Sequence, residues 1–244
     1  MIISLTGFMG CGKSSVGRKL SQLLCCPFMD LDAVIETQTG RSIPEIFASD
    51  GETAFRDIER DVLTDVLSAT MAVSSRGPLP QTSCGPLPLA GGGKMPLTHD
   101  SHAPQKAHSS KIPLILSLGG GTVMTPECAE LVREKTTCIY LRTSVDTLVS
   151  RLASEVEGRP LLNQISHPES TYSDKSPNSR PHSGAPDRDH SPKESASDLR
   201  PRIESLMSRR ASTYEATAHL TLDTDGLSIE EIAQMLVTNL RTVR

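Results

Sequence analysis

Ile2-Ile3-Ser4-Leu5-Thr6 runs directly into Gly7-Phe8-Met9-Gly10-Cys11-Gly12-Lys13-Ser14, an apolar strand leading into G-x-x-x-x-G-K-S and from there into a helix. That context gives the pattern its meaning: a loop that grips a nucleoside triphosphate. The glycines let the backbone curl so that successive N–H groups point at phosphate oxygens, and the helix beginning near Lys13 turns its positive end toward the same anion. Gly10, Cys11, Gly12, Lys13, Ser14 and Ser15 are the expected ATP contacts. Lys13 is expected to reach the β- and γ-phosphates, with the Ser14 hydroxyl in a Mg²⁺ shell.

At 244 residues the chain has room for one large domain or two small ones, yet its apolar share of 36% falls below the usual range of about 45–50%, so part of it lies outside any core. A net charge of −4 gives no sign of a nucleic-acid or anionic-membrane partner, and no apolar run approaches the ~20 residues that span a bilayer. With the first strand starting at residue 2 and no leader pattern ahead of it, the expected location is the cytoplasm. The six cysteines (Cys11, Cys25, Cys26, Cys84, Cys128, Cys138) show no C-x-x-C spacing and read as reduced thiols. Cys11, at a helix N-terminus beside Lys13, is the one candidate for a reactive thiol, whose oxidation would block phosphate binding.

Two segments account for the diluted apolar content. Residues 71–111 and 164–197 are dominated by Pro, Gly, Ser, Thr and His without helical or strand periodicity, and neither offers enough apolar surface to offset the entropy of ordering it. Both are expected to be disordered insertions in a single domain spanning 1–244. They hold six of the seven histidines, at spacings that fit no metal site.

The remainder alternates strands and helices. A strand ending at Leu5, a helix Lys13–Leu24 with Val16, Leu20, Leu23 and Leu24 inward, and a short strand ending at Asp30 come first. Asp32 is expected to cap a helix stopped by Gly40; a short helix from Ile43 closes at Asp50-Gly51, and a longer one begins at Glu52. Beyond the first insertion, Pro113–Leu118 is a buried strand entering Gly119-Gly120-Gly121, and helix, strand, helix, helix, strand and helix follow. Repeated strand-helix units imply a parallel sheet covered on both faces, with ligands at the strands' carboxyl ends.

Five features carry chemistry. Alternation along an extended segment puts Asp30 and Asp32 on one side, where one carboxylate holds Mg²⁺ through water and the other accepts a substrate hydroxyl's hydrogen bond; a helix cap is the plainer role. Arg56, one turn before Glu59, is either a surface ion pair or an anion ligand. Three glycines just past a buried strand cost stability and mark a close approach to backbone. Arg159, in Gly158-Arg159-Pro160-Leu161-Leu162, is either a solvated loop residue or a lid arginine that stabilises charge on a transferring phosphoryl group; Arg209-Arg210 either complements a helix dipole or binds an anion.

Taken in order, the phosphate loop, Phe28-Met29-Asp30-Leu31-Asp32, Gly40-Arg41-Ser42-Ile43, Phe55-Arg56 with Glu59, Gly119-Gly120-Gly121, Arg159-Pro160-Leu161-Leu162 and Arg210 four before Tyr214 resemble the shikimate kinases. The resemblance covers all of the chain outside the insertions. It implies a three-layer α/β P-loop kinase fold with a five-stranded parallel sheet of order 2-3-1-4-5, and transfer of the ATP γ-phosphoryl group to the 3-hydroxyl of shikimate. It further implies that Asp32 holds the shikimate hydroxyls and Arg56 and Arg210 clamp its carboxylate, while Gly120 and Gly121 line the ring. Glu59 would orient Arg56, Asp30 would hold Mg²⁺ through water, and Lys13, Asp32 and Arg159 would form the catalytic set. The partner is a small molecule, with no nucleic acid or membrane, and the protein a monomer.

The chain departs from that pattern in three places. The lid continues into the second insertion, the adenine-flanking arginine falls near Arg151 at an altered spacing, and Asp225-Gly226-Leu227 offers no basic group beside adenine. Two other readings are a P-loop kinase for gluconate and a silent nucleotide-binding scaffold; the paired arginines argue against the first, and retention of Lys13, Asp32 and Arg159 against the second.

Overall fold

The computed structural model describes residues 1–74, 114–155 and 196–242. Five strands, β1 (Ile2–Thr6), β2 (Phe28–Asp30), β3 (Leu114–Ser117), β4 (Thr136–Arg142) and β5 (Leu220–Asp223), form one parallel sheet of order 2-3-1-4-5, as the resemblance implies. Among the described residues seven α-helices cover it: α1 (Lys13–Leu24), α2 (Leu31–Thr39), α3 (Ile43–Ser74), α4 (Pro126–Lys135), α5 (Val145–Glu155), α6 (Ala196–Thr217) and α7 (Ile229–Thr242). β1 is central, and every residue of β1 and β3 is buried, the hydroxyl residues Ser4, Thr6 and Ser117 included, as expected for inner strands of a parallel sheet covered on both faces.

Successive residues of the inner strands feed two cores. Ile3, Leu5, Ile115, Ile139 and Leu141 pack with Val16 and Leu20 of α1, Leu148 of α5 and Leu236 of α7. Ile2, Leu114, Leu116, Cys138 and Tyr140 pack on the opposite face with Leu31, Ile35, Leu63, Val132 and Tyr214. Burying each such side chain is worth about 1.5–3 kcal/mol relative to exposing it, which anchors every strand end that presents a functional loop.

Several sequence expectations shift. Leu23, read as inward, is exposed, because α1 presents only Val16, Gly17 and Leu20 fully to the sheet. The two helices expected on either side of Asp50-Gly51 are present and meet at a kink at Gly51, whose backbone (φ 83°, ψ 175°) is not helical; together they are labelled α3. α3 continues to Ser74 and α6 starts at Ala196, so the insertions begin and end inside the boundaries 71 and 197 expected from composition. Cys84, the six histidines of the insertions and Arg159 lie outside the described residues. Among the described residues no helix is long and apolar enough to cross a membrane.

Gly17 shows how tightly α1 is seated. A Cβ there would lie 2.5 Å from Cε2 of Phe28 and 3.2 Å from a methyl of Leu5, so the bare glycine lets β2 close on the helix. Alanine elsewhere in a helix gains about 1 kcal/mol over glycine. Here overpacking is expected to outweigh that gain, with Gly17→Ala destabilising the protein by about 1–3 kcal/mol. Thermal unfolding checks this, and a melting temperature equal to or above wild type would contradict it.

Candidate active site

The phosphate loop owes its shape to backbone that side chains other than glycine rarely adopt. Gly10 (φ 78°) and Gly12 (φ 94°) are both left-handed, and Gly12 caps α1 with no side-chain bond to the first-turn amides. The amides of that turn therefore face the loop unclaimed by any capping side chain, the arrangement that binds phosphate. Lys13 folds back over the loop, its ammonium donating to the carbonyl oxygens of Gly7 (2.9 Å) and Phe8 (3.0 Å). Ser15 is exposed at the rim. Cys11 is only 1% exposed and packs among Phe8, Leu141 and Leu152, so the reactive thiol expected from its position is shut off from solvent.

β2 brings a carboxylate to the same loop. The Ser14 hydroxyl donates to Asp30 Oδ2 at 2.5 Å and lies 3.4 Å from the Ser117 hydroxyl. Asp30, not Asp32, is the N-cap of α2, accepting from the Asp32 amide at 3.2 Å. Asp32 thus stands in the first turn of a helix rather than alternating along a strand, and the cap turns its carboxyl back toward the site. Ser14 and Asp30 offer hard oxygen donors side by side, the chemistry Mg²⁺ selects.

The glycine turn after β3 forms the other wall. A Cβ on Gly119 would meet Asp32 Oδ1 at 2.8 Å, Glu59 Oε1 at 3.0 Å and the Thr122 hydroxyl at 3.0 Å, so three polar groups converge where only hydrogen fits. A Cβ on Gly121 would meet the Arg56 guanidinium at 2.5 Å, and Gly120 faces the phosphate-loop amide of Met9. Arg56 donates to Glu59 Oε2 at 2.7 Å and to Glu52 Oε1 at 3.2 Å, with its charged carbon 5.3 Å from the Phe55 ring centre. Glu59 is 1% exposed, so the pair is an interior one and not the surface alternative.

Arg210 belongs to the same wall through α6. One turn further on, Tyr214 is fully buried, stacks on Tyr140 at 5.2 Å between ring centres, and donates its hydroxyl to the Gly120 carbonyl. Burial pushes the Tyr214 phenol up to about 12, held back by the neighbouring Arg210 guanidinium. Arg151 of α5 lies against the phosphate loop, 3.3 Å from the Cys11 carbonyl oxygen. Asp225, in the loop after β5, accepts from the Ser144 amide at 3.1 Å and feels the charge of Arg151.

Of the residues gathered here, Lys13, Ser14, Asp30, Asp32, Arg56, Glu59, Gly120, Gly121 and Arg210 are those the sequence motifs single out. Thr122 lies outside those motifs, and Tyr214 holds a motif position that assigns it no role. The available signals were a hydroxyl residue directly after Gly119-Gly120-Gly121 and a tyrosine one helical turn after Arg210.

A phosphate loop with a neighbouring carboxylate would suit any P-loop NTPase. Here an acid and a guanidinium converge on a glycine turn packed against that loop, so fold and site define a P-loop kinase for a small hydroxylated anion. A family model described as shikimate kinase matches residues 9–81 and 99–241. The chain is 30% identical to a shikimate kinase of Chlorobium chlorochromatii, over 99% of this chain and 94% of that protein, and 29% identical to one of Thermus thermophilus, over 98% and 89%. A solved shikimate kinase from Acinetobacter baumannii in complex with shikimate shares the fold, with a TM-score of 0.64 at 23% identity over 100% of this chain and 94% of that one. One from Bacteroides thetaiotaomicron gives 0.66 at 22% over 99% and 98%. The chain belongs to the shikimate kinase family, enzymes that use ATP to phosphorylate the 3-hydroxyl of shikimate and release ADP on the route to chorismate and the aromatic amino acids.

Burial, followed by the charges of Asp30 and Glu59, raises the Asp32 carboxyl from its ordinary 3.8 to about 6, with Lys13 pulling the other way. Above about pH 6 the group is charged in both states and the fold carries the cost; as pH falls from about 6 toward 4 the folded state takes up the proton first and the cost disappears. Asp32→Asn is therefore expected to stabilise the ligand-free protein at pH 7.5, by on the order of 2 kcal/mol, with the advantage shrinking to nothing near pH 4. Denaturant unfolding across that range checks it; an equally or less stable variant at pH 7.5 would contradict it.

Proposed function

We propose that this chain phosphorylates the 3-hydroxyl of shikimate using one donor wall and one acceptor wall that meet at the carboxyl ends of β1 and β3. The reading is carried by the convergence of Asp32, Glu59 and Thr122 on Gly119, beside Arg56 over Gly121. The phosphate loop, residues Gly10–Ser15, takes the ATP phosphates through backbone amides. Lys13 exchanges the carbonyls of Gly7 and Phe8 for the β- and γ-phosphates. Ser14 and Asp30 are the residues that would hold Mg²⁺, Asp30 through water, and the ion would supply neutralisation of charge on the phosphates.

On the acceptor side Asp32 accepts from the shikimate hydroxyls, Arg56 and Arg210 clamp the carboxylate, and Gly120 and Gly121 leave room for the ring. Guanidinium forks match carboxylate geometry, and Glu59 holds Arg56 charged and oriented. Asp32, raised to about 6, is ionised at neutral pH and close enough to it to take the hydroxyl proton. Most of the acceleration in phosphoryl transfer comes from alignment and charge stabilisation, so this proton transfer is secondary. Arg159 closes from the lid onto the phosphates. The protein acts in the cytoplasm as a monomer, a single domain that carries two low-complexity insertions, the second in the lid region.

The test is ADP release coupled to a reporter with shikimate, quinate and gluconate as acceptors. Shikimate is expected to be preferred by at least about tenfold in kcat/KM, and Asp32→Asn to lower that value by about a hundredfold or more. Shikimate turnover no faster than background ATP hydrolysis would overturn the reading; preference for gluconate would move it to another acceptor.

A further inference from the structure

The glycine turn is tied to the two arginine-bearing helices by one side-chain hydroxyl each. On one side, Thr122 opens the short 3₁₀ turn Thr122–Met124 and is fully buried. Its hydroxyl donates to Glu59 Oε1 at 2.6 Å, and the other oxygen of the same carboxylate accepts from Arg56 at 2.7 Å. With both oxygens engaged, the Glu59 carboxylate cannot rotate, and the direction of the Arg56 guanidinium follows from the position of Thr122. On the other side, the Tyr214 hydroxyl donates to the Gly120 carbonyl and stands beside Arg210. The stack on Tyr140, itself on β4, fixes the ring that carries this hydroxyl.

Both ties close on a stretch of four residues. Thr122 and Gly120 belong to one turn, held by the Thr122 amide on the Gly119 carbonyl (3.3 Å) and the Met124 amide on the Gly121 carbonyl (2.9 Å). The turn therefore serves as the common reference from which α3 and α6 are measured. We infer that Thr122 and Tyr214 are positioning residues that set the separation and aim of Arg56 and Arg210, and with them the fit of the pocket to a carboxylate carried on a small ring. Neither side chain touches the reacting atoms. The inference rests on the assignment of Arg56 and Arg210 as the carboxylate clamp.

Tyr214→Phe keeps the ring and its stack and removes only the hydroxyl. Thr122→Val keeps the shape and leaves Glu59 Oε1 without its donor, while Thr122→Ser restores the donor. In steady-state kinetics, Tyr214→Phe and Thr122→Val are each expected to raise the shikimate KM by about tenfold while the ATP KM stays within about twofold; Thr122→Ser is expected to return the shikimate KM to near wild type. Because Tyr214 acts through Arg210, adding Tyr214→Phe to Arg210→Lys is expected to change the shikimate KM by less than about twofold. Arg56→Lys and Thr122→Val are expected to behave in the same way. Equal rises in the ATP and shikimate KM, a full effect of Tyr214→Phe in the Arg210→Lys background, or no effect in wild type would each overturn the inference. Tyr214→Phe alone decides it should Thr122→Val fail to fold. If the two arginine variants themselves leave the shikimate KM unchanged, the clamp assignment falls; if they raise it while both hydroxyl variants do not, only this inference falls.

Discussion

Parallel pairing of β1 with β3 is the constraint on which the rest of the site depends. The register sets Leu5 opposite Ser117, and the Leu118 amide adds a bond to the Leu5 carbonyl at 3.0 Å, so both strands leave the sheet at the same level. One then becomes the phosphate loop and the other the glycine turn. A Cβ on Gly120 would come within 3.4 Å of the Met9 amide, which means that the two loops already pack against each other. Phosphoryl transfer needs donor and acceptor oxygens aligned within a few tenths of an ångström, and a strand ladder supplies that more rigidly than mobile loops do. Slippage of β3 by one residue would turn its side chains to the opposite faces and carry the glycine turn away from the phosphates.

Rigid placement comes with a cost in stability. Asp32 and Glu59 sit beside one another with Asp30 close by, and Lys13 and Arg56 only partly offset them. Folding gathers these acids because the chemistry requires a carboxylate near a substrate hydroxyl and another behind a guanidinium. Two large cores on either side of the sheet carry this local penalty, as expected where function and stability conflict.

How much of this was legible depends on how local each decision is. The strand, loop and helix from Ile2 to Leu24 follow from residues adjacent in sequence, and the helix bounds of α1 agree with the reading. The break at Gly51 was legible for the same reason. The choice between Asp30 and Asp32 as the cap was not: either can cap locally, and the choice of Asp30 accompanies its contact with Ser14, sixteen residues earlier in the chain. Glu59 looks like part of a polar helix face in Arg56-Asp57-Ile58-Glu59-Arg60, and its burial appears only once Thr122 arrives from 63 residues away. Leu23 is exposed although apolar spacing places it on the inward face, because spacing marks a face but not how far the sheet extends beneath it.

The central claim is that donor and acceptor walls are registered so that one hydroxyl of one ring faces the γ-phosphate. The most direct measurement is ³¹P and ¹H NMR of the product formed from ATP and shikimate by the wild-type protein, which reads the carbon bearing the new phosphate from its coupling to the ring proton. The account predicts a single product phosphorylated at the 3-hydroxyl. A mixture of positional isomers, phosphate on another hydroxyl, or inorganic phosphate as the only product would contradict it.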